Sequence, residues 1–223
     1  VDNIYSLRET QVQIMIVTRK MTLLVSGKKK EIYYAGNPGI IEGYPVIGVL
    51  ASGKAPGPIV WDSYYLFYAL RDSDVTIAGG WHSPLEKGIL DALIEGKVNI
   101  ALFAAKGLKA RGFQQKFKLL DRTSRSLMIS LFPDSVTKIN GTDAPLLRNE
   151  LLAAISDILL IPYIKPRGKL FHMLKTESAF LNKTFILNHA ENDKISLKVK
   201  RVDTNHVSDL ISNAQKAYLK RKL

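Results

Sequence analysis

The stretch TIAGGWHSPLE, residues 76–86, sits inside a longer pattern that runs from an apolar segment, Val75 to Ala78, to Glu95. The apolar segment ends in the pair Gly79-Gly80. Pro84 then opens a helical periodicity. The stretch reads as strand, tight turn and helix N-terminus. A turn of this kind leaves backbone N–H groups at the positive end of a helix dipole, where a phosphate or other anion can sit. It also brings an imidazole (His82), a hydroxyl (Ser83) and a carboxylate (Glu86) within a few residues. Ser83 and Glu86 stand three apart, which is equally the spacing of a reciprocal helix cap.

The same theme repeats outward from this unit. Upstream, PVIGVLA from Pro45 is a strand without polar alternation, the mark of burial on both faces. A Gly/Pro-rich loop, SGKAPGP, follows, and then an aromatic-rich helix, SYYLFYAL, with Asp62 expected as its N-cap. Downstream, a strand is expected over 98–104, a basic and partly helical stretch over 107–122, and a strand over 126–132. NGTDAPLLRNELLAAIS is a helix with Asp143 as N-cap and Pro145 in its first turn. DILLIPY is a strand, RGKLFHMLKTESAFL one helix, and KTFILN a last short strand. Strands alternating with helices over short connections predict an α/β, Rossmann-like, doubly wound and mainly parallel sheet across residues 45–190.

Two extensions flank that core. Residues 1–44 are expected as a small β extension, with VQIMIVT, MTLLVS and EIYYAGN as strands. Residues 191–223 are expected as a basic tail. In it ISLKVKRV forms an edge strand, and an amphipathic helix follows with Thr204 or Asn205 as its cap. The closing Lys220-Arg221-Lys222 suits either the negative end of that helix or a nucleic-acid contact.

Composition narrows the functional classes. The chain has 223 residues, 46% of them hydrophobic, so it can bury a core. It has no cysteine, which excludes disulfides, thiol catalysis and Cys-ligated metal. Its four histidines, His82, His172, His189 and His206, form no metal-ligand spacing, so neither a metal nor a cofactor is expected. No apolar run is long enough for a membrane span. The opening VDNIYSLRETQ lacks the order of a signal peptide, so a soluble, cytoplasmic protein without a membrane partner is expected. The formal charge is +12, which favours polyanionic partners. The charge is clustered: Lys106 to Arg125 holds seven Lys/Arg and one acid, Asp121.

In an open parallel sheet, ligands bind beyond the carboxyl ends of the strands. Candidate phosphate contacts there are Gly79, Gly80, Trp81, His82 and Ser83 in the turn, Lys106 and Arg111 in the basic stretch, and Arg148-Asn149 on an otherwise apolar helix. Arg167, Gly168 and Lys169 offer a second anion seat before a later helix. Ser52-Gly53-Lys54 reads more simply as a solvated turn. Glu86 is the one candidate general base. No dinucleotide G-x-G-x-x-G, Walker lysine or G-x-S-x-G elbow is present.

With these residues in view, the chain resembles the DNA-processing protein A family (DprA/Smf), within the wider Rossmann-like group that includes the LOG phosphoribohydrolases. The resemblance covers roughly Ile32 to Asn188. It rests on IYYAGNPGIIEGYPVIGVLA, TIAGGWHSPLEKGILDALIEGKVNIALFAAKGL, SLMISLFPDS and RNELLAAISDILLIPYIKPRGKLFHML, in that order and spacing. Where the family's first strand ends in Gly-Ser-Arg, this chain has Leu50-Ala51-Ser52. Gly79, Gly80, Ser83 and Glu86 match the outline of the LOG turn, with His82 in place of its third glycine. The resemblance implies a non-catalytic protein that binds single-stranded DNA in DNA uptake or recombination, with a recombinase and a second copy of itself as partners. Two alternatives stay open: a sensor domain for a nucleotide-derived small molecule, and a hydrolase of nucleotide N-glycosidic bonds using Glu86.

Overall fold

Each run of four to six apolar residues in the middle of the chain becomes a strand buried on both faces, and the helices between them cover those faces. The structure is a computed structural model and describes residues 17–25, 28–110, 124–139 and 143–223. Its strands are β1 (Arg19–Val25), β2 (Lys28–Gly36), β3 (Val46–Val49), β4 (Thr76–Gly79), β5 (Asn99–Ala104), β6 (Ser126–Ser130), β7 (Ile158–Ile161), β8 (Thr184–Leu187) and β9 (Lys200–Val202). They form one sheet in the order β1-β2-β6-β5-β4-β3-β7-β8-β9. From β6 to β9 all neighbours are parallel. The β1–β2 hairpin joins antiparallel to the free edge of β6, pairing Tyr33 with Ser130 and Gly36 with Leu127. The mainly parallel, doubly wound sheet expected from the strand and helix alternation is the architecture found.

The described helices are α1 (Gly39–Glu42), α2 (Gly57–Leu70), α3 (Pro84–Ile94), α4 (Asp143–Ile155), α5 (Lys169–Thr176), α6 (Ser178–Asn182) and α7 (Val207–Lys222). Alternate residues of the strands supply two cores, as a period of two requires. Ile47, Val49, Ile77 and Leu160 face α2, α3 and α7, meeting Phe67, Ile89 and Leu210. Val46, Ala78, Leu159 and Ile161 face α1 and α4 to α6, meeting Ile40, Leu152 and Phe171.

Several local expectations are corrected. Asp62 does not cap α2. The helix begins at Gly57, after the extended Pro56, because Pro58 presets the first turn, and Asp62 lies one turn inside. The expected single helix over 167–181 is broken at Glu177, whose extended backbone separates α5 from α6 and lets Phe180 turn into the core. Only Lys200–Val202 of ISLKVKRV is strand, because β8 is four residues long and offers no pairing partner to the rest. His206, not Thr204 or Asn205, precedes the first turn of α7, without a side-chain cap. Asp143 is a helical residue of the first turn of α4 rather than its cap. The VQIMIVT strand, apart from Val17 and Thr18, and the basic stretch from residue 111 to 123 lie outside the described residues.

The C-terminal helix is fastened at the amino end of the sheet, away from the strands' carboxyl ends. Asp157, nearly enclosed, accepts from the Val46 N–H at 2.8 Å and pairs with Arg221 Nε at 2.9 Å. Arg221 also donates to the Ile41 and Tyr44 carbonyls. Burial pushes the Asp157 carboxyl up, while the Val46 N–H and the Arg221 charge pull it down. Of the closing basic triplet, Arg221 is thus a structural anchor.

Beside it, Lys183 donates to the Ser156 carbonyl at 2.6 Å. Burial pulls its ammonium down to about 8, against a smaller upward pull from Asp157. The unfolded chain therefore holds more protons than the folded one between the lowered value and that of a free lysine, and stability rises with pH across that window. The expected result is a melting temperature that climbs on going from about pH 8 to pH 10, with a slope of at most about 1.4 kcal/mol per unit from this group. The climb is flattened in Lys183→Met. Equal slopes in the two proteins would remove Lys183 as the cause.

Candidate functional site

The chain leaves β3 toward β4, β5 and β6 on one side and reaches β7, β8 and β9 on the other. The loops after β3 and the strands beside it diverge at this reversal of strand order, and a cleft opens beyond their carboxyl ends. There the structure has an open pocket of about 330 Å3. Leu50, Ala51 and Gly53 come from the end of β3, His82, Ser83 and Glu86 from the turn after β4, and Arg148 and Asn149 from α4.

The turn has a specific internal construction. Ser83 caps α3: its hydroxyl accepts from the Glu86 N–H at 3.2 Å, and Glu86 Oε2 accepts from the Ser83 N–H at 2.8 Å. The same oxygen accepts from the His82 N–H at 3.1 Å. The N–H groups expected to cradle an external phosphate at His82 and Ser83 thus already hold an internal carboxylate. Glu86 is buried, and its role in this structure is that of a capping group.

The glycine pair makes room for two side chains. Trp81 takes a positive φ of 51° and folds its ring back beneath Gly79, where an added Cβ would lie 2.8 Å from the ring. Its Nε1 donates to the Ala101 carbonyl at 3.1 Å, and it is 1% exposed. Trp81 is a core residue packed beneath the turn, which removes it from the candidate phosphate contacts. On the other side, Arg148 lies across Gly80, with its Cζ 2.5 Å from the position a Cβ would take.

Arg148 is the group that gives the pocket its charge. Its Nε and one terminal nitrogen donate to Asn149 Oδ1, at 3.0 and 2.8 Å. Among the described residues no carboxylate lies within ion-pair distance of it. Burial lowers its guanidinium pKa, and the field of Glu86 raises it. A planar donor fork, largely out of water and fixed by a neighbouring amide, is suited to a phosphate or carboxylate oxygen.

The other expected contacts are placed around the pocket rather than in it. Lys165, Arg167 and Lys169 are exposed on the loop after β7, where Arg167 has a positive φ of 57° and Gly168 precedes α5. Lys169 borders a separate groove, with His172 and Glu150. The loops are tied together by Ser52, whose hydroxyl accepts from the Lys165 N–H at 2.8 Å, so Ser52 is more than a solvated turn residue. Lys106 follows β5, and its carbonyl accepts from Ser130 Oγ at 2.9 Å. Arg111 lies outside the described residues. Among the described residues no cluster of His, Asp or Glu could hold a metal ion, and no helix is long and apolar enough to cross a membrane.

A scan of protein-family models gives no match, and neither does a search of curated proteins. Solved structures do match. DNA processing protein A (DprA) from Streptococcus pneumoniae superposes with a TM-score of 0.66 at 14% identity, over 81% of this chain and 65% of that one. DNA processing protein A from Helicobacter pylori gives 0.69 at 13% identity, over 91% and 98%. This chain has the DprA fold. The resemblance read from the four sequence segments therefore holds at the level of architecture. The chain spans 65% of the S. pneumoniae protein's length and nearly all of the H. pylori one, which was characterised for its unique single-stranded DNA binding mode. A molybdenum cofactor carrier protein from Chlamydomonas reinhardtii also superposes on this chain, at a TM-score of 0.50 and 14% identity over 77% of this chain and 99% of that one. One sheet thus hosts different ligands, and the ligand must be argued from the site.

Proposed function

We propose that this chain binds single-stranded nucleic acid without transforming it, with one phosphate seated against Arg148 and the strand continuing over the basic loop at Lys165, Arg167 and Lys169. The observation that carries the reading is Arg148 itself: a largely buried guanidinium, with no ion-paired carboxylate among the described residues, at the mouth of a pocket on the sheet's reversal point. Glu86 fills the neighbouring helix N–H groups, so the attraction for an incoming anion comes from the side chain rather than from the turn. The same occupancy speaks against Glu86 as a general base, because its carboxylate oxygen is held by two amides. The DprA-like architecture and the charge of +12 support nucleic acid as the polyanion. On this reading the protein acts in the cytoplasm in DNA processing, uptake or recombination, delivering the strand to a recombinase.

A second reading is favoured by the pocket's size. About 330 Å3 falls in the range of small-molecule sites, and neither Arg167 nor Lys169 lines it. A nucleotide-derived small molecule would use Arg148 alone.

A salt-dependent titration separates the two. For a single strand, each phosphate contact contributes about −0.7 to the slope of log affinity against log salt. Arg167→Ala with Lys169→Ala should flatten the slope for an oligonucleotide by about 1.4, at unchanged melting temperature, since both side chains are exposed. If a mononucleotide binds as tightly as the oligonucleotide and the double variant keeps the wild-type slope, the small-molecule reading replaces the strand reading.

A further inference from the structure

Helices α4 and α5 leave an open groove of about 370 Å3 between them that the phosphate site does not use. One helix leads into β7 and the other leaves it, so both run from the carboxyl to the amino end of the parallel sheet. Asp143, Leu146 and Glu150 line the groove from α4 at i, i+3 and i+7. Lys169, Met173 and Thr176 line it from α5 at i, i+4 and i+7, so each helix contributes one face. The floor is apolar and fixed. Met173 is buried in the same core as Leu152 and Phe171, and the half-buried Leu146 packs against that core. The charge around the floor runs against the rest of the molecule. Three carboxylates, with Glu177 as the third, stand beside one lysine, in a chain with 32 Lys and Arg and 20 Asp and Glu. Asp143 and Lys169 belong to the first turns. Glu150 lies farther along α4, and Glu177 stands where extended backbone ends α5. Among the described residues neither Glu150 nor Glu177 has a cation within ion-pair distance.

We propose that this groove seats a short basic segment of another protein, with an apolar side chain on Leu146 and Met173 and a Lys or Arg held between Glu150 and Glu177. The floor and the rim together select that chemistry. A phosphate or a nucleic-acid strand is repelled by the carboxylates. A purely apolar occupant would strip water from Glu150 and Glu177 and give nothing in return. An occupant that is apolar in the middle and cationic at its flank satisfies both. The length points to a polypeptide. Seven residues separate Asp143 from Glu150, about 10 Å of helix, which is the span of about three residues of an extended chain. Apolar contact with a charged rim is how peptide segments are held in grooves between helices.

The groove and the phosphate site lie on different sides of α4. Arg148 and Glu150 are two residues apart, about 200° around the helix. The basic segment therefore docks without taking the place of a phosphate at Arg148, and the carboxylates that attract it face away from that phosphate.

Fluorescence anisotropy with a labelled peptide, a central Leu pair between flanking lysines, tests the proposal. The net charge of +12 repels such a peptide from the molecule as a whole, so binding reports a local acidic seat. The expected dissociation constant is on the order of 10–100 µM at about 0.05 M salt, weakening as salt is added. Serines in place of the leucines should weaken binding by roughly 10-fold, and glutamates in place of the lysines should abolish it. Glu150→Gln with Glu177→Gln keeps the shape of both side chains, and should weaken the peptide by about 5-fold or more at an unchanged melting temperature. The affinity of the double variant for an oligonucleotide should stay within about twofold of the wild type, since neither residue belongs to the phosphate site. No binding of the peptide by the wild type overturns the proposal, as does equal binding of the glutamate peptide. Wild-type peptide affinity in the double variant overturns it too. A double variant that loses peptide and oligonucleotide alike also overturns it, by showing that the two carboxylates act on the fold rather than in the groove.

Discussion

Arg148→Ala is expected to weaken single-stranded oligonucleotide binding by roughly 10- to 100-fold, the loss of a charge-assisted contact worth about 1.5–3 kcal/mol. The variant alone could be misread, because removing a packed side chain also changes the fold's stability. Gly80→Ala separates the two effects. A methyl group at Gly80 would collide with the Arg148 guanidinium, the far end of a flexible side chain that can move away without disturbing the backbone. Gly80 has no positive φ that an alanine would strain. Gly80→Ala should therefore keep a near-wild-type melting temperature while displacing Arg148 from its place beside Asn149, with a loss of affinity approaching that of Arg148→Ala. Fluorescence anisotropy with a labelled oligonucleotide, read alongside thermal melts, makes the comparison. Wild-type affinity in both variants would show that the phosphate sits elsewhere. A low affinity only in Arg148→Ala, together with a lowered melting temperature, would show that the arginine acts through packing.

The succession of buried strands and the mainly parallel, doubly wound sheet they build are legible in the sequence because they depend on a coarse signal, whereas the order of the strands across the sheet is not. VIGV, TIAG and ILLI lack polar alternation, and only strands covered on both faces look like that. The Ser83 and Glu86 cap is equally legible, since its chemistry is local and fixed by a spacing of three residues. What the sequence conceals is the direction of side chains where the backbone leaves regular geometry. At Trp81, a positive φ turns the ring under the preceding glycine rather than outward, and no periodicity reports that. In α2, apolar residues occur all round the helix, so Leu66, Phe67 and Leu70, which are enclosed, cannot be told from Trp61, Tyr65 and Tyr68, which are exposed. The link between Asp157 and Arg221 spans 64 positions and joins a strand entrance to the last turn of the chain, beyond the reach of any local pattern.

The candidate site shows the same division. Two properties were visible as residue types: a helix start rich in hydroxyl and carboxylate, and an arginine with an asparagine on an apolar helix. Their consequences depend on which donors are already occupied. Glu86 does for the helix start what a bound phosphate would do, which moves the attraction for a ligand from the turn to Arg148. The two glycines, expected as a tight turn with candidate phosphate contacts, accommodate Trp81 on one side and Arg148 on the other. The turn therefore acts on the ligand through Arg148, by leaving the space in which the guanidinium lies.

That construction makes Trp81 the structural foundation of the site, and its removal should have the largest effect on stability. Trp81→Ala takes away a side chain that is 1% exposed and packed in the core with Leu85, Ile89 and Leu102. Truncating a buried tryptophan costs about 3–5 kcal/mol, a large part of a single domain's stability. The indole N–H to the Ala101 carbonyl is lost with it. Trp81→Phe should cost less, because most of the apolar volume remains and only the donor disappears. Urea denaturation gives both values. The chain's two tryptophans also allow a direct check of placement. In Trp61→Phe, the emission left from Trp81 should be blue-shifted and resistant to an aqueous quencher, whereas in Trp81→Phe the emission from Trp61 should be red and easily quenched. A Trp81→Ala protein that loses less than about 1 kcal/mol, or a Trp81 emission as accessible as that of Trp61, would mean that the ring is not in the core. The turn would then have no rigid floor, and Arg148 would have no fixed position over Gly80 from which to hold a phosphate.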